Sequence, residues 1–225
     1  MADNIIPEIE SDEILNRAKG FWEKNSKNIL ISAAAFILIV GGYLGYKNFI
    51  QLPNEQKAQE EIFRAEENFR RDSLSLALNG DANTPGFLKV ISKYGGTPSG
   101  NIARLYAGEC YLHLGDFKNA VKNLEDFNDN GARQIGAKAE GLLGDAYSEL
   151  KQNDKAIKHY RKAGSMFEED QAISSEYLFR AALLLEMTGS NKEAGEVYQQ
   201  LKDKFPRTEK GFVAEKHLAR LGITK

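Results

Sequence analysis

One cysteine and three histidines in 225 residues remove several kinds of chemistry at the outset. Cys110 has no second thiol with which to close an internal disulfide, and it stands among Tyr, Leu and Ala at helical spacing. A thiol in such a run is a small buried apolar group rather than a nucleophile. His113, His159 and His217 are far apart and have no histidine companion at i, i+4, so each lacks the partner that a ligand or a base requires. An excess of basic residues is also missing. Thirty Lys and Arg against 32 Asp and Glu leave a formal charge of -2, without the basic face that DNA or RNA demands. There is no glycine-rich phosphate loop and no cluster of acidic, Cys and His residues at ligand spacing, so no cofactor, no metal and no catalytic residue is expected. At 42% apolar and 28% charged residues, what remains is ordinary globular material.

One segment departs from that average. In "NILISAAAFILIVGGYLGYKNFI", positions 29 to 46 carry no charge. A buried core helix normally keeps a polar stripe, and this run has none. Extended to Ile50, with Lys47 reaching back to the interface, it gives about 33 Å of helix, enough for a hydrocarbon core of about 30 Å. Trp22, Tyr43 and Tyr46 suit the two interfaces. No small-x-small cleavage site follows the run, and a 28-residue leader is long for a signal peptide, so residues 29–50 are expected to stay as an anchor. Arg17, Lys19, Lys24 and Lys27 precede the span, whereas only Lys47 and Lys57 follow it closely. The positive-inside rule then puts residues 1–28 in the cytoplasm and residues 54–225 on the other side.

Pro53 is expected to interrupt the helix after the span. Ala58, Ile62, Ala65 and Phe69 then line one side of an amphipathic helix over 54–78. Asp81 and Asn83 have the look of a calcium loop, but no further spaced ligands and no closing glutamate follow, so the reading is an ordinary turn.

From residue 101 the chain repeats. Gly108, Tyr111, Ala120 and Leu124 are matched by Gly144, Tyr147, Ala156 and Tyr160, and then by Ala182, Leu185, Ala194 and Tyr198. The units are about 36 to 38 residues apart, close to the 34 of a tetratricopeptide repeat. Small residues at two positions let paired helices approach, and large ones fill the space beside them. In "LHLGDFKNA" Gly115 turns the chain, Asp116 caps the next helix, and Ala120 sits at the crossing; Lys151 stands where the neighbouring units have Gly115 and Gly189. Upstream, "GFLKVISKYGGTPSGN" is the second half of a further unit. Downstream, the helix after Thr208 presents Phe212, Leu218 and Leu221 and covers the end of the stack. The expected fold is all-α: one membrane helix, then a solenoid of about four helical hairpins and a C-terminal capping helix.

The first helix of each unit lines the concave face of such a stack, which makes a groove for protein or peptide partners the expected site. The register turns Leu105, Glu109, Leu112 and His113 inward from the first unit, and Lys138, Asp145, Ser148 and Glu149 from the second. The third contributes Glu176, Phe179, Leu183, Glu186 and Met187. Carboxylates outnumber bases there, which suits a basic, amphipathic or extended segment. Charge reversal at Glu109, Asp145 and Glu149 is expected to weaken capture and leave folding intact. At the positions where cytosolic repeats clamp a terminal carboxylate, this chain has Leu105, Glu109, Leu142, Glu176 and Arg180, of which only Arg180 fits.

The whole arrangement, with "RRDSLSLALNGD", "GFLKVISKYGG", "YAGECYLHLGDFKNAVKNLEDF" and "LLGDAYSELKQNDKAIKHYRKA", resembles the bacterial inner-membrane tetratricopeptide proteins of the YfgM type. That resemblance implies a periplasmic repeat domain ancillary to the Sec translocon. Its implied partners are translocon subunits, periplasmic chaperones or secreted chains. A passive structural or oligomer-forming envelope protein is the alternative.

Overall fold

The structure, a computed structural model, describes residues 8–223, with side chains from residue 13. The chain divides into two units, Met1–Pro53 and Asn54–Lys225. In the first, α1 (Glu8–Tyr46) runs for 39 residues. Its most apolar stretch has a mean hydropathy of 2.1 and none of it is buried, so the helix is long and apolar enough to cross a membrane. Phe36 and Leu38 are 68% and 76% exposed. Before the apolar run the helix is polar, with Arg17 paired to Glu13 one turn back at 2.7 Å.

Pro53 does not interrupt the helical backbone as expected. A π-helical turn, Lys47–Gln51, precedes it, and Pro53 is the second residue of α2 (Leu52–Arg70). A proline ring crowds the carbonyl four residues back, here that of Phe49, and the wide turn that contains Phe49 relieves the clash.

The second unit continues from α2 through α3 (Leu74–Asn79), α4 (Phe87–Tyr94), α5 (Pro98–His113), α6 (Phe117–Glu125) and α7 (Arg133–Glu149). It ends with α8 (Asn153–Met166), α9 (Gln171–Met187), α10 (Asn191–Lys204) and α11 (Glu209–Arg220). Among the described residues there is no strand, only the isolated bridge between Gly80 and Pro85. The helix expected over 54–78 is in fact two, because Asp72 takes a left-handed φ of 57° and turns the chain. The second half of the first hairpin is therefore split into α3 and α4. Between them Asp81 Oδ1 accepts the N–H groups of Asn83 at 2.8 Å and Thr84 at 2.7 Å, an Asx turn that spends this carboxylate on its own backbone.

The remaining hairpins are α5 with α6, α7 with α8, and α9 with α10. Gly108 lies against the Leu124 side chain and Gly144 against the Tyr160 ring, each so close that a Cβ would collide. Asp116 caps α6 by accepting the Asn119 N–H at 3.2 Å, and Thr208 caps α11 by accepting the Gly211 N–H at 3.0 Å. Two cores result, and α5 is shared between them. Its Ala103, Ala107 and Cys110 join Ala58, Ile62 and Phe87, while its Leu105 joins Leu124 and Leu142. On α11, Leu218 is buried against the stack, but Phe212 stays 65% exposed and does not take part in the cap.

The three corners share one backbone shape. Gly115 and Gly189 have φ of 80° and 83°, and Lys151 adopts φ 60° in the same place. A left-handed residue with a Cβ costs about 1 kcal/mol, partly offset by the greater chain entropy that glycine loses on folding. Lys151→Gly is expected to raise stability by about 0.5 kcal/mol, read as a higher urea midpoint with an unchanged slope.

Candidate functional site

The expected groove residues lie on the first helices of successive hairpins, α5, α7 and α9. A cavity of about 530 Å³ opens at the ends of α5 and α7. Leu112 and His113 come to it from α5, Asp145, Ser148 and Glu149 from α7, and Arg180 from α9. Phe117 and Tyr160, from the second helices α6 and α8, complete the wall. Five of the residues expected from the register are thus gathered in one place.

The others divide by burial and pairing. Leu105 is 5% exposed and belongs to the core, so it presents nothing to a partner; an inward-facing position beside the helix crossing is consumed by packing. Phe179 is half-buried between Tyr198 and His217, with ring centroids 6.0 and 5.4 Å away. Leu183 is half-buried, and Met187 is 81% exposed at the end of α9.

The acidic residues are not a free negative field. Glu109 on α5 accepts from Lys138 Nζ of α7 at 2.7 Å. Asp145 on α7 accepts from Arg180 Nη1 of α9 at 2.6 Å, and Arg180 Nε also reaches Glu176 Oε1 at 2.8 Å. Glu176 in turn meets Lys210 Nζ of α11 at 3.3 Å. Glu186 is held by Arg220 at 2.7 Å, by His217 Nδ1 at 3.0 Å and by the Tyr198 hydroxyl at 3.0 Å. Each first helix is thereby tied to the next by charge. Reversing Glu109 or Asp145 would set like charges against Lys138 or Arg180, so those changes would act on the contacts between repeats as well as on the groove. Of the carboxylates Glu109, Asp145, Glu149, Glu176 and Glu186, Glu149 alone has no ion-pair or hydrogen-bond partner among the described residues.

Partly exposed pairs of this kind are worth about 0 to 1 kcal/mol each, so they set spacing more than they set stability. Their protonation is nevertheless readable. Burial raises the Glu176 carboxyl, but hydrogen bonds and charge from Arg180 and Lys210 outweigh it and hold the group below its usual 4.5. Glu186 behaves alike: burial raises it, and His217, Tyr198 and Arg220 bring it below 4.5. Burial by itself would lower the Arg180 guanidinium, yet Glu176 and Asp145 hold it above its ordinary value. The Tyr160 hydroxyl, buried and donating to Asp145 at 2.7 Å, is pushed well above its usual 10. A carboxylate depressed in the folded state contributes its stability above about pH 4.5, and that contribution is lost as pH falls through the lower folded value. Urea midpoints are therefore expected to fall as pH drops below about 4.5, and a Glu186→Gln variant should lose less over that fall than the parent.

His159 and His217 are structural. His159 Nδ1 lies 2.8 Å from Glu140 and its ring stacks 5.2 Å from that of Tyr147. His113 is exposed at the cavity. Cys110 is fully buried, with its thiol pushed up to about 12 by burial and by the charge of Glu109. Among the described residues no three of His, Cys, Asp and Glu gather in a way that would hold a metal.

Sequence reading missed Phe117 and Tyr160 as lining residues because they lie on the second helices, which the register assigns to the outer layer. Tyr160 had a usable signal. A polar tip on a side chain at a core position requires a partner, and the one in reach is on the groove side.

The model of the soluble NSF attachment protein family matches residues 105–209, from the middle of α5 to the first residue of α11. Solved structures that share the fold include two of TPR-like repeats. The kinesin light chain of Podosopora anserina, with nearly identical TPR-like repeats, has 15% identity and a TM-score of 0.54, covering 73% of this chain and 85% of its own. A single-substitution variant of that protein has 16% identity and a TM-score of 0.55, covering 73% and 84%. Among curated proteins, none matches this chain. The second unit is an all-helical array of tetratricopeptide-like repeats.

Proposed function

We propose that this chain is a membrane-anchored scaffold for protein partners, held by one helix and capturing its partner in the groove along α5, α7 and α9. The observation that carries the reading is the cavity of about 530 Å³, to which three successive first helices all contribute. Arrays of this kind bind through such concave surfaces, whereas the chemistry of an active site has no counterpart there: the acids are spent on inter-repeat pairs and the buried thiol is held protonated. In this reading residues 1–28 are cytoplasmic, residues 29–50 span the bilayer, and residues 54–225 work on the opposite side. The charge bias before the span and the exposed apolar face of α1 support it. The resemblance to YfgM-type proteins favours the bacterial inner membrane and the periplasm. It also favours Sec translocon subunits, periplasmic chaperones or secreted chains as partners.

The ladder of inter-helix ion pairs favours one competitor, a rigid envelope spacer with no client. Photocrosslinking in intact cells from positions 112 and 149, followed by mass spectrometry, separates the two. Recurrent capture of a translocon or chaperone component is the expected result; no crosslinked protein from either position would leave the spacer. Alkaline carbonate should not extract the chain, and protease added to spheroplasts should digest residues 54–225. Release, or protection of that segment, would overturn the topology.

A further inference from the structure

The groove reading leaves open what the cavity recognises, and its unspent polar atoms answer that. Both bonds to Asp145, from Tyr160 and from Arg180, fall on Oδ1, so Oδ2 has no partner among the described residues. Glu149 follows four residues later on the same face of α7, and among the described residues neither it nor the Ser148 hydroxyl between them has a partner. Two like charges at that spacing repel slightly when nothing lies between them. The cavity also sits where α5 ends at His113 and α7 ends at Glu149, and helix C-termini carry partial negative charge. Among the described residues Arg180 is the one Lys or Arg on the wall, and Asp145 and Glu176 already share it. Beside these acceptors lie Leu112 and Phe117, each half-buried, with apolar surface left to cover.

Resting on the scaffold reading, we infer that this cavity takes one basic side chain, arginine or lysine, from an extended partner segment. The charged head meets Asp145 Oδ2, Glu149 and the Ser148 hydroxyl, and an apolar neighbour covers Leu112 and Phe117. The rest of the groove, neutralised by its own pairs, then contributes shape rather than charge. This narrows recognition from a generally basic ligand to a single cationic position with an apolar residue next to it.

The full-length chain in detergent micelles would be titrated with a fluorescein-labelled extended peptide of core Leu-Arg-Leu, and with the same peptide carrying Gln or Glu in place of Arg. A benzophenone on the peptide reports where it sits. The Arg core is expected to crosslink to α5 or α7 and to bind at least about five-fold tighter than the Gln core, with the gap narrowing as salt rises. Glu149→Gln should erase most of the difference, while Glu196→Gln, at an exposed position on α10, should not. If all three peptides crosslink in the groove with equal affinity, the scaffold reading stands and the basic subsite is refuted. If none crosslinks in the groove, both fall.

Discussion

Gly144→Leu is expected to destabilise the repeat array by about 3 kcal/mol or more, the upper end of what overpacking a core costs. The reason lies in what surrounds the glycine. Even a single Cβ there would collide with the Tyr160 ring, and Gly144 is buried in the crossing of α7 with α8. Relief requires either the helices to part or Tyr160 to leave, and Tyr160 also donates to Asp145 at the groove. The substitution should therefore damage binding and stability together. His113→Ala, at the end of the neighbouring helix and exposed, should change stability by less than about 0.5 kcal/mol. Urea melts of the purified chain decide it, and equal losses from the two changes would mean that the repeat register is wrong.

Tyr198→Ala is expected to cost about 3 to 5 kcal/mol, as large aromatic deletions from a closed core do. The ring is fully buried, stacks 4.6 Å from His217 of α11 and meets Phe179 of α9 edge to face. It is thus the common wall of three helices at the carboxyl end of the array. Its hydroxyl has a separate task, donating to Glu186, which also receives Arg220 and His217. Tyr198→Phe keeps the ring and loses that bond, so it should cost only about 1 kcal/mol. Hydrogen exchange along α11 would show the Ala variant releasing the terminal helix. Protection of α11 unchanged in that variant would mean that Leu218 and Ala214 hold it alone.

Glycine and alanine at fixed offsets made the hairpins legible, because only small residues permit the approach of two helices, and that requirement leaves a period in the chain. Asp116 and Thr208 were legible as caps for a related reason: a cap acts within a few residues of itself, so its signature is local. Lys151 is instructive, since the missing glycine was expected to weaken that corner, and the lysine adopts the same left-handed backbone as Gly115 and Gly189. Pro53 and Asp72 misled in opposite directions. A π-turn absorbed the proline, and an aspartate broke a helix whose apolar spacing ran straight through it.

The register of the repeats, the apolar character of residues 29–50 and the positions of the corners follow from local spacing and composition, which need no distant partner. The fate of each groove residue does not. Leu105 went to the core because α5 is shared by two hydrophobic clusters, and Gly141 is required because Tyr177 of the next hairpin lies against it. Glu109 and Asp145 are bound by Lys138, 29 residues on, and Arg180, 35 residues on, while Glu149 has no such partner among the described residues. Periodicity says which way a side chain faces. Which opposite charge or ring meets it there depends on the angle and spacing at which successive hairpins stack, and those are set by the packing of the whole array.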